Sequence, residues 1–213
     1  MKKRATFLSC LFILFGAFAE GALPNFLIEH QIDLGEQFEF FETGIHLFQE
    51  REGKRIVETI SFVSTEISQN LNDGYGTLIF SALAEEDDVI FHPFYKDFSK
   101  RKKFLKICKS LFPKTKTFSS AQSFFDTMKH FQHSIDLLSL QFIPDESNSS
   151  IRPRYQLFQE LVTAVPHLSD NAIILLNDKS AGRSASKLFI RYLCGRGWSI
   201  IYESPYGLIF SKI

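Results

Sequence analysis

Two stretches of this chain bring together side chains able to grip a polar ligand. Glu58 and Thr59 lie near the end of a β-type run over residues 55–61, and Asn72-Asp73-Gly74-Tyr75-Gly76-Thr77 leads into a helical segment over 77–86. A carboxylate at the end of a strand in an open α/β sheet can accept a hydrogen bond from a ligand's amino group or ribose hydroxyl. Glycines at a helix start let backbone N–H groups approach a ligand closely, at the positive end of the helix dipole. The same residues also suit an ordinary strand–loop–helix connection with Asp73 as its cap.

The other strand ends are poorer in acids. The run 135–141 closes on Gln141, and the run 172–177 closes on Asn177 and Asp178. A general base or a Mg²⁺ clamp needs convergent carboxylates. Asp178 alone is placed for such work, so it is the one catalytic candidate and no metal site is expected. Asp136 sits at the start of its strand, where a structural role is the better reading. A further run over 88–94 carries His92 and Pro93 where a ribose-gripping acid would belong. His92 or Asp97 is the available substitute, although Pro93 removes a backbone donor. Nothing has the form Gly-x-Ser-x-Gly, and a hydrolase triad has no support.

These residues need a scaffold to hold them, and apolar spacing supplies its outline. Leu34, Phe38, Phe41, Ile45 and Phe48 recur at helical spacing and predict a lead-in helix over 25–52, with Gly53 as its stop. Beyond it, β-type runs (55–61, 88–94, 116–119, 135–141, 172–177) alternate with helical segments (77–86, 99–111, 121–131, 155–168, 184–193). Such alternation predicts a parallel sheet covered on both faces. Strands over 198–203 and 207–211, joined by Ser204-Pro205-Tyr206, must form an antiparallel hairpin, because so short a turn cannot make a parallel crossover.

The first residues speak to compartment. Lys2, Lys3 and Arg4 precede an apolar stretch over 5–19 that ends Ala17-Phe18-Ala19, a pattern read by signal peptidases. Export with cleavage near Ala19 is the expectation, leaving a lead-in over 20–53, an α/β domain over 54–213 and no stable membrane span. The alternative is a membrane anchor formed by residues 5–19. After cleavage 21 basic residues face 24 acidic ones, which does not suggest a nucleic-acid binder. The basic side chains from Lys96 to Lys109 read as a solvated helix face, and Asn148-Ser149-Ser150 fits a glycosylation sequon. Cys108 and Cys194 are expected to be free, mostly buried thiols. The 24 Phe are scattered at core-like spacing and are assigned no function.

Over roughly residues 54–213 the chain resembles the class I S-adenosylmethionine-dependent methyltransferases. Within them it is similar to a subgroup whose first motif runs Glu-Thr-Gly-Thr, then a loop, then Gly-Asp-Gly-x-Ser-Thr. Glu58, Thr59, Asp73, Gly74 and Thr77 match; so, as a pattern, do Ile135-Asp-Leu-Leu138, residues 157–168 and 172–178, and the run from Gly197 to Tyr202. The resemblance implies a Rossmann-like sandwich: a mostly parallel seven-strand sheet with a C-terminal antiparallel hairpin and helices on both faces. It also implies S-adenosyl-L-methionine as cofactor, held through Glu58, Thr59, Asp73, Gly74, Tyr75, Thr77 and His92, with Asp178 near the methyl acceptor.

Three positions depart from the pattern: Ile60 replaces a glycine, His92-Pro93 replaces a terminal acid, and Gln141 replaces another. Two expectations follow. One is a working methyltransferase acting on a small-molecule or sugar hydroxyl. The other is a non-catalytic exported module for a small-molecule or protein partner, whose carboxyl edge is filled by Phe side chains or opened to another ligand. The expectation is a methyltransferase-like protein of doubtful activity, with the non-catalytic module as the alternative that explains the missing acids and the export signal together.

Overall fold

A computed structural model describes residues 24–60, 75–95, 98–117, 123–142, 152–178 and 183–212. The signal segment, Asp73, Gly74, Asp97 and the sequon lie outside the described residues.

The lead-in is three helices rather than one. α1 (Asn25–Glu29), α2 (Gln31–Leu34) and α3 (Glu36–Glu50) are separated at His30 and Gly35. Gly35 has φ +53° and ψ −126°, a conformation open in practice to glycine and incompatible with a continuing helix. The stop at Gly53 is real but shared between two residues. Gly53 N–H donates to Phe48 O and Glu52 N–H to Gln49 O, a Schellman pattern. The left-handed position falls on Glu52 (φ +54°). Glycine is needed one residue later, because a Cβ on Gly53 would stand 2.2 Å from the Phe48 ring.

The sheet is formed by β1 (Arg55–Ile60), β2 (Ile90–Tyr95), β3 (Ile135–Phe142), β4 (Leu168–Asp178), β5 (Trp198–Ser204) and β6 (Gly207–Lys212). Their order is β2-β1-β3-β4-β6-β5. The first four are parallel, and β6 runs antiparallel between β4 and β5. The expected strand over 116–119 reduces, among the described residues, to one parallel bridge between Thr117 and Phe91. Among the described residues the sheet therefore has six strands, with the bridge at Thr117 beside β2. β4 starts earlier than apolarity suggests, since its polar leader 168–171 reaches Ile135 through a register shift.

Strand periodicity sorts the core into two layers. Val57, Leu138, Leu140, Ile174, Leu176 and Phe210 pack against α6 (Phe124–Lys129), α7 (Arg152–Ala164) and α8 (Arg183–Cys194). Their alternate neighbours Ile56, Leu137, Ile173, Leu175 and Ile209 face α3 and α4 (Tyr75–Glu86). α5 (Phe98–Leu111) joins the second layer through Cys108, which contacts the cluster of Ile60 and Leu78. Many of the phenylalanines do fill this core. Cys108 and Cys194 are both free, but of the two only Cys108 is buried; Cys194, the last residue of α8, is exposed.

Candidate functional site

An open α/β sheet binds ligands beyond the carboxyl ends of its strands, where the strand order reverses. Here the chain leaves β1 for β2 on one side and returns to β3 on the other, so that point lies between β1 and β3. The register sets Glu58 beside Ser139, and Ile60 beside Gln141. Gln141 in turn neighbours Asn177 on β4. Period-2 alternation puts all of these on the α4 side of the sheet, close to its carboxyl edge.

Glu58 is fully enclosed, with 0% of its surface exposed. The Gln141 amide donates through Nε2 to Glu58 Oε1, bridging the switch point from β3 to β1. Thr77 Oγ1 lies 2.7 Å from the other oxygen, Oε2, and donates to it when Glu58 is charged. A hydroxyl can equally accept from the protonated acid. The protonated form prevails at neutral pH. Burial pushes the Glu58 carboxyl up to about 8, outweighing the lowering effect of the Thr77 hydrogen bond.

Gly76 closes the group from above. A Cβ there would stand 1.9 Å from Gln141 Nε2 and 2.8 Å from Glu58 Oε1, so only glycine admits the pair. This is a second use for a glycine in this turn: close approach to the chain's own side chains. Asn177 is 8% exposed, and its Oδ1 is buried without a hydrogen-bond partner.

The remaining candidates scatter. Thr59 follows Glu58 but points to the opposite layer, beside Phe94 and Leu140, with its Oγ1 buried and unpartnered. His92 pairs in register with Val57 and shares that opposite layer, its ring edge-on to Phe131 at 5.5 Å. It is therefore not brought together with Glu58 and Thr77. Tyr75 begins α4 and is buried among aromatic rings; burial first, then Asp33, pushes its hydroxyl up to about 12. Asp178 ends β4 opposite Phe142. Among the described residues no three His, Cys, Asp or Glu gather into a metal site.

Beside the switch point, the ends of β1 and β2 are roofed by aromatic side chains. Ile60 and Tyr95 are register partners and the last residues of their strands. Phe26 of α1, Phe112 and Leu78 pack with them. Neither this use of Phe26 nor the service of Gln141 to Glu58 was foreseen from residue types; the one available signal was that Gln141 stood at a strand end where an acid belonged. In chemical terms the edge offers a neutral, enclosed carboxyl group and an aromatic cover, with no second carboxylate converging on Glu58 among the described residues.

Comparison with known proteins places the fold. No family model and no curated protein sequence matches the chain. Among solved structures it is similar to the TDP-rhamnose 3′-O-methyltransferase of calicheamicin biosynthesis in its apo state, at 11% identity and TM-score 0.55, covering 96% of this chain and 91% of that one. A candidate O-methyltransferase from Klebsiella pneumoniae matches at 13% identity and TM-score 0.53, over 97% and 96% of the two chains. A candidate methyltransferase from Streptococcus mutans in complex with SAH matches at 14% and 0.51, over 76% and 89%. The architecture is the Rossmann-like methyltransferase fold. At such identities the likeness is one of fold.

Proposed function

We propose that this is an exported protein that keeps the methyltransferase fold as a binding or interaction module and has given up methyl transfer. The observation that carries the reading is the state of Glu58. Its two oxygens are engaged by Gln141 and Thr77, and none of its surface is exposed. A neutral carboxyl held this way neither attracts a ligand's amino group nor reaches a ribose hydroxyl. Ile60 stands where the resembling motif has glycine, and its β-branched side chain resists the close backbone approach that glycine permits. Among the described residues, Glu58 and Ile60 thus do not fit S-adenosylmethionine, and no reaction step is assigned to it.

Calorimetric titration of the folded protein with S-adenosylhomocysteine tests the reading. The expected result is no heat at high ligand concentration. Micromolar binding that disappears in Glu58→Ala would overturn it and restore the working methyltransferase, with Asp178 next to be examined.

Export rests on the basic start and the Ala17-Phe18-Ala19 ending. N-terminal sequencing of protein recovered from its native cell is expected to begin at Glu20. An intact Met1 would favour anchoring by residues 5–19. The partner is a small molecule or a protein, and the near-balance of basic and acidic residues is the reason no nucleic acid is proposed.

A further inference from the structure

The two outer edges of the sheet are finished differently. β2 carries Pro93, which has no N–H to offer, and the N–H of its Phe91 donates to Lys116 O at 3.1 Å beside the bridge to Thr117. β5 ends the other side, and among the described residues no strand pairs with its outer flank. A bare edge offers a row of backbone donors and acceptors to any extended chain, so folded proteins guard it with lysine, proline or an inward charge. None of these guards stands in the run Trp198-Ser199-Ile200-Ile201-Tyr202, which is uncharged and rich in β-branched and aromatic residues.

A bulge interrupts the β5–β6 ladder between Ile200 and Tyr202. Bulges can protect an edge by twisting it away. This one carries isoleucines instead of a charge, and Ile200 and Ile201 stand 36% and 39% exposed at the middle of the strand. Charge appears only towards the two ends, and with opposite sign. Exposed Arg196 lies two residues before β5, its guanidinium 3.8 Å above the Tyr192 ring, and exposed Glu203 is the last residue but one of the strand. Between Arg196 and the strand, Gly197 has nothing within 4 Å of the place a Cβ would occupy, so the approach to this end is open. A parallel partner of the same sequence would set like charges side by side. An antiparallel one sets each arginine beside a glutamate.

We infer that β5 pairs antiparallel with β5 of a second copy of this chain, about a two-fold axis near Ile200, and joins the two sheets into one. The same patch serves both copies, so the contact closes on itself and leaves neither β5 edge open. The exposed isoleucines of the two copies bury one another at its centre, and the ion pair between Arg196 and Glu203 occurs twice at its rim. The inference goes beyond the proposed function and stands whether or not the protein binds S-adenosylhomocysteine.

Sedimentation equilibrium of the folded protein tests it. The expected mass is twice that of one chain at about 100 μM, falling towards that of one chain on dilution through the low-micromolar range. A monomer at every concentration up to about 100 μM would overturn the inference and leave the edge to a different partner. Ile201→Lys, which puts a charge at the bulge, is expected to give a monomer with the far-ultraviolet dichroism of the wild type. Arg196→Glu should weaken association about tenfold, because two like-charge contacts replace two ion pairs, and adding Glu203→Arg should restore it. A dimer indifferent to both Ile201→Lys and Arg196→Glu would put the interface elsewhere and overturn the pairing. Failure of the charge swap to restore association would overturn the antiparallel alignment. Should Ile201→Lys not fold, the charge-swap series decides by itself.

Discussion

Two acids flank the β1–β3 pair from opposite ends, and the chain treats them in opposite ways. At the amino end, half-buried Asp136 accepts from the backbone N–H of Lys54 and Arg55 at 2.9 and 3.0 Å, fastening the start of β1 to the start of β3. At the carboxyl end, Glu58 fastens the same strands through Gln141, but without access to water. Asp136 needs only backbone donors that any sequence provides. Glu58 needs a specific amide from β3, a specific hydroxyl from α4 and a glycine above them. The end where ligands would bind has thus become the more exacting structural joint.

The sharpest way to break the comparison is to remove the buried acid. Glu58→Ala leaves a cavity and strands the Gln141 and Thr77 donors, and is expected to cost about 4 kcal/mol in urea unfolding. Asp136→Ala, whose backbone donors can turn to water, is expected to cost about 1–2 kcal/mol in the same assay. Equal costs would show the two joints to be equivalent.

Gly76→Ala comes next, at about 3 kcal/mol, because its methyl group collides with Gln141 and Glu58. Pairing it with Gln141→Ala should recover part of that loss, by about 1 kcal/mol or more in a double-mutant cycle. Full additivity would place the collision elsewhere.

The pH dependence of stability tests the burial of Glu58. The folded-state value of Glu58 is raised by burial to about 8 from its ordinary 4.5. Between those values the folded protein holds a proton that the unfolded chain has released. The contribution of Glu58 to stability is therefore complete below about 4.5 and is lost as pH rises through about 8. Urea midpoints should fall between pH 5 and pH 9, and Glu58→Gln, which cannot ionise, should flatten that fall. An unchanged slope in Glu58→Gln would assign the titration to another group. The smallest effect belongs to Thr77→Val, about 1 kcal/mol, as one hydroxyl contact among three constraints.

Much of the architecture was legible in the chain because it follows from local periodicity. The alternation of strands and helices, the closing hairpin and the structural role of Asp136 all emerge from spacing and turn chemistry. Glu58 and Thr77 could be placed near each other because one strand and its following helix carry them. The hydrogen bond from Gln141 could not be, since it spans 83 residues and depends on the register of β1 against β3. The break at Gly35 escaped notice because apolar spacing runs through it and only the backbone angle reveals it. Cys194 was expected inside because it follows a strand in a helical segment, yet it is exposed at the helix end. His92 was placed by its position near a strand end, and alternation across the sheet turned it to the other layer.

The mutual satisfaction of Glu58 and Gln141 has a consequence for descent. Changing either residue alone leaves its partner buried with an unmet polar group, a loss felt in folding before any ligand is considered. Reversion toward a ligand-gripping acid would need coordinated changes at several positions, while drift away from the present arrangement is opposed at each single step. Selection for a stable chain is then sufficient to preserve Glu58, Gly76, Thr77 and Gln141 together. In relatives of this protein, persistence of that quartet would be accounted for by folding alone, whether or not a reaction is performed there.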